Sequence, residues 1–363
     1  MKKPYVPQAL PLESVDWIRF ITLIGQANAE LARYDGILQG IINPAVLLSP
    51  LTTKEAVISS KIEGTQASLE EVLQYEASPD VKTEKYDDIR EIINYREAMR
   101  FAVQWMKEKP ITLNLIKEMH GILLDSVRGK DKGRGNFRTG QNYIGKPGAP
   151  IEQATYIPPS PPVLMDHLSN FEKYIHYNEK DRLVQLATVH AQFEIIHPFL
   201  DGNGRLGRIL IPLFLYEKQV LHSPMFYISE YLESNRDEYY ARLKAISEEK
   251  AWDDWIEFFL RAIIEQAKAN SVKAKSILDL YEKKKTRITD MTRSQYAIKI
   301  LDTLFAWPIF NTTDFIKRSR IPKPSAMRLL KVLRKEGILS TLREGSGRRA
   351  EVIMFNKLIN IVA

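Results

Sequence analysis

The stretch EIIHPFLDGNGRLGRIL, Glu194 to Leu210, constrains this chain more than any other. Both of its flanks are apolar and helix-prone, but Pro198 removes a backbone donor and Gly202 and Gly204 are poor helix formers. One continuous helix is therefore not expected, and a new helix should begin at about Gly204. Its first turns carry Arg205 and Arg208, spaced i, i+3 on one face. Cations near a helix N-terminus oppose the macrodipole at about 0.3–1 kcal/mol each. Free backbone N–H groups of the Gly-Asn-Gly turn point into the same region. All of these groups are positive, so the turn suits an anion. Phosphate is the natural one, because a glycine turn leading into a helix N-terminus cradles phosphate oxygens.

Asp201 is the odd member, an anion beside a phosphate cradle. A carboxylate fits there if Mg²⁺ bridges it to the phosphates, since that ion takes one or two carboxylates plus substrate oxygens. His197 stands at the mouth of the turn, and imidazole is the side chain best suited to taking a proton near neutral pH. Base, metal carboxylate and anion cradle together describe transfer of a phosphorus-centred group onto a hydroxyl. A zinc site is not supported. His190 and His197 lie two helical turns apart, with no HExxH spacing and no evident third ligand.

With 363 residues the chain has room for two domains, or one large domain with an appendage. It contains no cysteine, which excludes disulfides, thiol catalysis and Cys-ligated zinc, and fits a reducing cytoplasm. No apolar run approaches the roughly 18 residues of a membrane span, and the MKKPYVPQAL start has no apolar core of a signal peptide. Helical periodicity dominates, so the expected class is mainly α. The exception is Gly133 to Pro162, whose glycines, prolines and short Thr-Tyr-Ile run suggest a loop with a hairpin. The expected organisation is an N-terminal helical region over 1–110 and a core over 111–262. A helical connector over 263–291 and a C-terminal module over 292–363 follow.

HPFLDGNGRLGR resembles the Fic-family signature HPFx(D/E)GNGRxxR and matches it at every defined position. The resemblance spans roughly residues 50 to 260. It implies a helical core and transfer of AMP from ATP to a Ser, Thr or Tyr hydroxyl of a protein. By the same resemblance His197 is the base and Asp201 holds Mg²⁺. Gly202, Asn203 and Gly204 surround the α- and β-phosphates, Asn203 and Arg205 orient them, and Arg208 reaches the γ-phosphate. QATYIPPSPP resembles the β-hairpin flap over the active site, whose edge can hold a target by strand pairing. YISEYLESNRDEYYARL resembles the stretch that closes over adenine, with Tyr239 as the expected base-facing residue.

In VISSKIEGTQASLEEV, Gly64 is expected to stop a helix and Ser68 with Glu71 to open the next as a capping box. Glu63 then sits at a helix C-terminus, where its charge opposes the dipole and would be better placed against a cation. Ser59 lies four residues earlier on the same face. Ser59, Glu63 and Gly64 match the inhibitory (S/T)xxxE(G/N) motif of many Fic proteins. In those with the motif before the core, the glutamate pairs with the second motif arginine, here Arg208.

Residues 312–355 read helix, turn, helix, strand, turn, strand, with Thr312 or Thr313 and Ser325 as N-caps and REGSGRR as a wing. The segment resembles a winged helix-turn-helix. From Lys317 to Arg349, eleven Lys or Arg stand against Glu336 and Glu344. That charge is the footprint of a DNA reader, while a winged helix used for protein contacts is the alternative.

The expectation is a cytoplasmic protein adenylyltransferase, autoinhibited by Glu63 and using Mg²⁺ with ATP as substrate. Its partners would be a hydroxyl-bearing target or the protein itself, DNA through the C-terminal module, and a second copy in a homodimer. Two other readings stay open: a transcriptional regulator with a sensing Fic core, and phosphoryl transfer by a Doc-like relative. The Doc branch has Lys where this chain has Gly204.

Overall fold

A computed structural model describes residues 3–79, 83–125, 132–146, 148–346 and 350–363. The helices begin with α1 (Trp17–Gln39), α2 (Pro44–Leu47), α3 (Ser49–Ile62) and α4 (Leu69–Ala77). α5 (Tyr86–Trp105), α6 (Leu113–Leu123), α7 (Pro161–Ile175), α8 (Arg182–Ile196) and α9 (Asn203–Glu217) follow. α10 (Ser229–Ser234) and α11 (Arg236–Glu249) precede α12 (Trp252–Thr292), which runs unbroken through the expected connector. The last stretch holds α13 (Ala297–Ala306), β1 (Ile309–Asn311), α14 (Thr312–Ser319) and α15 (Lys323–Lys335), then β2 (Ser340–Arg343), β3 (Val352–Met354) and α16 (Asn356–Val362). No helix among the described residues is long and apolar enough to cross a membrane.

The chain divides into two compact units, each assembled from two separated stretches. The first comprises Met1–Asp35 and Asn94–Lys268. Its centre is α8, buried over nearly all its length and packed against α7, α9 and α11. A helix that is apolar all round has no solvent face to offer and becomes the core of its unit. Asp181 caps α8, accepting from the N–H groups of Leu183 (2.9 Å) and Val184 (3.0 Å). Gly207 lets α9 lie close to α8: a β-carbon there would stand 2.3 Å from Glu194 Oε1. The expected flap hairpin is reduced to one antiparallel bridge, Ile144 with Tyr156, and a 3₁₀ turn at Ile151–Gln153. Proline nearby removes ladder donors and glycine weakens strand structure, which disfavours a longer pairing.

The second unit comprises Gly36–Ile93 and Ala269–Ala363. α3 ends where expected: Glu63 is the C-cap and Gly64 takes φ +102°, a conformation that favours glycine. The Ser68–Glu71 capping box is present in both directions, at 3.2 and 2.7 Å. β1, β3 and β2 form an antiparallel sheet in that order, with Phe310 opposite Ile353 and Thr341 opposite Ile353 on the other edge. Within this unit α13 packs on α2 and α3, α16 on α3, and α4 on β1. Asn311 Nδ2 donates to the Ala77 carbonyl, and Arg343 reaches Ser78 Oγ at 3.0 Å.

Two expected caps are corrected. Asn311, not Thr312 or Thr313, caps α14, accepting from Asp314 N–H at 2.8 Å. α15 starts at Lys323 rather than after Ser325, because Pro324 is tolerated in a helix's first turn and does not delay it.

Candidate active site

His197 ends α8 in the left-handed conformation, φ +49° and ψ +60°, which a non-glycine residue rarely adopts. The turn is held open by a set of side chains. The buried Arg138 donates through Nε to the His197 carbonyl (2.9 Å) and through Nη2 to the Pro159 (2.5 Å) and Ile196 (3.4 Å) carbonyls. Its partners here are neutral carbonyls, and burial lowers the guanidinium pKa. Asn142 Nδ2 donates to the Phe199 carbonyl at 2.9 Å. His197 Nδ1 lies 3.3 Å from the Glu194 carbonyl. A carbonyl only accepts, so Nδ1 carries a proton, and in the neutral ring the lone pair is on Nε2. That is the tautomer a general base needs.

Gly202 then takes φ +76° as the N-cap of α9, and a β-carbon there would meet Leu123 at 3.2 Å. Both the backbone angle and the close packing require glycine. Asn203 holds the turn together through its side chain. Its side chain is buried, accepts from Phe199 N–H and donates to the Phe199 carbonyl, each at 2.9 Å. The amide therefore shapes the turn, and its second Nδ2–H and its backbone N–H are left for other partners. Gly204 lies in the first turn of α9 as expected.

Arg205 and Arg208 are 3% and 1% exposed. Two guanidiniums inside the wall at the positive end of a helix make a strongly electropositive site. Asp201 sits at its rim with 31% of its side chain exposed, 3.1 Å from Lys132 Nζ and 3.4 Å from Arg205. Among the described residues no group of three or more His, Asp or Glu is placed to hold a metal. A lone carboxylate fits Mg²⁺ that brings phosphate oxygens and water as its other ligands, and does not fit a resident ion caged by protein.

His120, missed in the sequence, is wholly buried beneath this turn. It stacks on Phe199 with ring centroids 3.8 Å apart, accepts from Gly135 N–H at Nδ1 (2.8 Å), and donates from Nε2 to the Asp201 carbonyl (3.2 Å). Burial lowers its pKa to about 4. The unfolded imidazole titrates near 6.5, so between those values the unfolded chain binds a proton that the native one refuses. Stability is complete above that window and falls as the pH drops through it. His120→Asn retains an acceptor and a donor without the charge. Thermal melts from pH 7 to 5 should show a smaller loss of Tm in this variant than in the wild type; equal losses would contradict the assignment.

Tyr239, expected to face a base, is 1% exposed and packs among His190, Trp255 and Tyr240. Its hydroxyl lies 3.0 Å from His190 Nε2, while His190 Nδ1 meets the Gly207 carbonyl at 3.2 Å. Burial, reinforced by Arg208, lowers the His190 pKa to about 3, so this histidine is a neutral core residue. The next residue, Tyr240, is exposed and lines a cavity of about 470 Å³. Ile144 and Tyr156 of the flap, Glu194 and Lys244 form its other walls. Tyr156 is fixed there by donating to the Ile195 carbonyl at 2.8 Å.

In the second unit Ser59 is fully buried and Glu63 is exposed at the end of α3.

Residues 21–104 match the model described as Fic/DOC family N-terminal, and residues 110–215 the model described as Fic/DOC family. The helical fold, the turn and these two adjoining matches agree: the chain belongs to the Fic/DOC family. It is 32% identical over 164 residues to the protein adenylyltransferase Fic of Drosophila mojavensis, and 30% to that of Drosophila melanogaster. Each match covers 42% of this chain and 30% of the relative, so the chain spans under a third of their length. A Fic family protein from Desulfovibrio desulfuricans G20 shares the fold over 97% of this chain and 98% of its own, with TM-score 0.58 and 15% identity. A Fic domain containing signaling protein from Bacteroides thetaiotaomicron covers 70% of this chain and 97% of its own, with TM-score 0.53 and 16% identity.

Proposed function

We propose that the protein transfers AMP from ATP to a Ser, Thr or Tyr hydroxyl of a protein target or of itself. The observation that carries this reading is the juxtaposition at one turn. His197 ends α8 with Nδ1 against the Glu194 carbonyl, and six residues later α9 begins, with Arg205 and Arg208 buried in its first turns. The backbone N–H groups of Gly202, Asn203 and Gly204, with Arg205, bind the phosphates nearest the reacting centre, and Arg208 takes the γ-phosphate. Nε2 accepts the proton of the incoming hydroxyl as its oxygen bonds to the α-phosphorus. The bond from that phosphorus to the bridging oxygen breaks, and pyrophosphate leaves. When bound, Mg²⁺ supplies charge neutralisation on the phosphates, with Asp201 as its protein ligand. The base is proposed to enter the cavity beside Tyr240, and the flap bridge offers a strand edge to the target.

Gly204 leaves the cradle without the lysine of the Doc branch, which favours nucleotidyl over phosphoryl transfer. Asp201→Ala should reduce Mg²⁺-dependent transfer, with only partial rescue by added Mg²⁺, and excess EDTA should stop the wild type. Both are read as adenylyl groups found on protein by mass spectrometry. Full transfer in EDTA would remove the metal, and no adenylyl group under any condition would remove the activity.

A further inference from the structure

We propose that the exposed side of α15, with the C-terminal end of α14, is a binding surface for duplex DNA. α15 buries Ala326, Leu329, Leu330 and Leu333 and turns Lys323, Arg328, Lys331 and Lys335 outward. Lys317 and Arg320 are exposed beside it, and α15 itself contains no acidic residue. None of these six cations has an ion pair among the described residues. The nearby acids are engaged elsewhere: Glu336 with Arg287 at 3.2 Å, Glu351 with Arg334, and Asp314 with Asn311. Exposed cations on other helices are commonly paired, as Arg19, Arg242, Arg261 and Lys268 are. Here six cations unpaired among the described residues, with no acid on α15, make a single-sign face.

The geometry favours a duplex over an acidic protein. α14 and α15 pack together across a short turn in which Arg320 takes φ +51°, giving a helix-turn-helix beside the β1-β3-β2 sheet. From Lys323 to Lys335 the stripe extends about 18 Å along one helix, and a helix fits the roughly 12 Å wide major groove with its flanking cations toward phosphates. The arginines expected in the wing, Arg348 and Arg349, lie outside the described residues and form no part of this surface.

The test uses the full chain and a fluorescent duplex of random sequence. If four cations reach phosphates, the salt slope is about −3.6, and binding weakens about 100-fold between 50 and 200 mM salt. Arg328→Ala with Lys331→Ala should weaken binding at least tenfold and flatten the slope by about 2, leaving AMP transfer and Tm unchanged. Removing the exposed Lys107 and Lys283 instead should change neither quantity. No saturable binding at 50 mM salt, loss in the control variant equal to that in the α15 variant, or equal affinity for poly-glutamate would overturn the proposal.

Discussion

His197→Ala should lower AMP transfer by about 10²- to 10⁴-fold while leaving ATP affinity nearly unchanged. In the proposed mechanism the imidazole acts on the incoming hydroxyl and not on the nucleotide, whose phosphates would meet Gly202–Gly204 and the two arginines. The ring is oriented by the Glu194 carbonyl, and the backbone that carries it is pinned by Arg138. Removing the ring leaves those supports in place, so the loss falls on turnover at saturating ATP. Nucleotide titration beside single-turnover transfer separates the two effects. Near-normal turnover in the variant would show that His197 is not the base.

Glu63→Gly should raise transfer roughly ten- to a hundred-fold, including transfer onto the protein itself. This outcome is expected if Glu63 of the inhibitory motif plays the role its resemblance implies, competing with the γ-phosphate for the second motif arginine. A charge-assisted hydrogen bond of about 1.5–3 kcal/mol is enough for a restraint of that size. Glu63 is exposed and its side chain supports no core, so its loss should not unfold the protein. Ser59→Ala should activate more weakly, and because Ser59 is fully buried its Tm must be measured alongside. Under the same expectation Arg208→Ala should not mimic release, since it would remove the proposed γ-phosphate contact as well. Unchanged or lower transfer in Glu63→Gly would leave Glu63 a surface charge.

The features legible in the sequence, at the candidate site and in the second unit, are those that local chemistry dictates. Pro198 and Gly202 break the helix wherever the chain is placed, Gly64 stops α3, and Ser68 with Glu71 starts α4. What escaped depends on partners far along the chain. Arg138 meets a carbonyl 59 residues away and His120 one 81 residues away, and no local pattern distinguishes them from surface residues. The choice between Tyr239 and Tyr240 turns on the phase of α11. Neighbours on a helix point about 100° apart, and only packing against His190 and Trp255 decides which is buried. The ring of hydrogen bonds that the Asn203 amide closes with Phe199, four residues earlier, is also invisible in the motif. The grouping of α2–α4 with residues 269–363 is likewise a tertiary fact, carried by α13, α16 and β1 rather than by any run of sequence.

The central claim is that the α-phosphorus of ATP is the centre attacked. Two parallel incubations, with ATP labelled on the α- or the γ-phosphate, test it directly, using the wild type, Glu63→Gly and His197→Ala. AMP transfer requires α label on protein in the wild type, more of it in Glu63→Gly and almost none in His197→Ala, with no γ label in any. Protein carrying γ label but no α label would make the reaction phosphoryl transfer, and protein carrying neither would leave the Fic core a sensor.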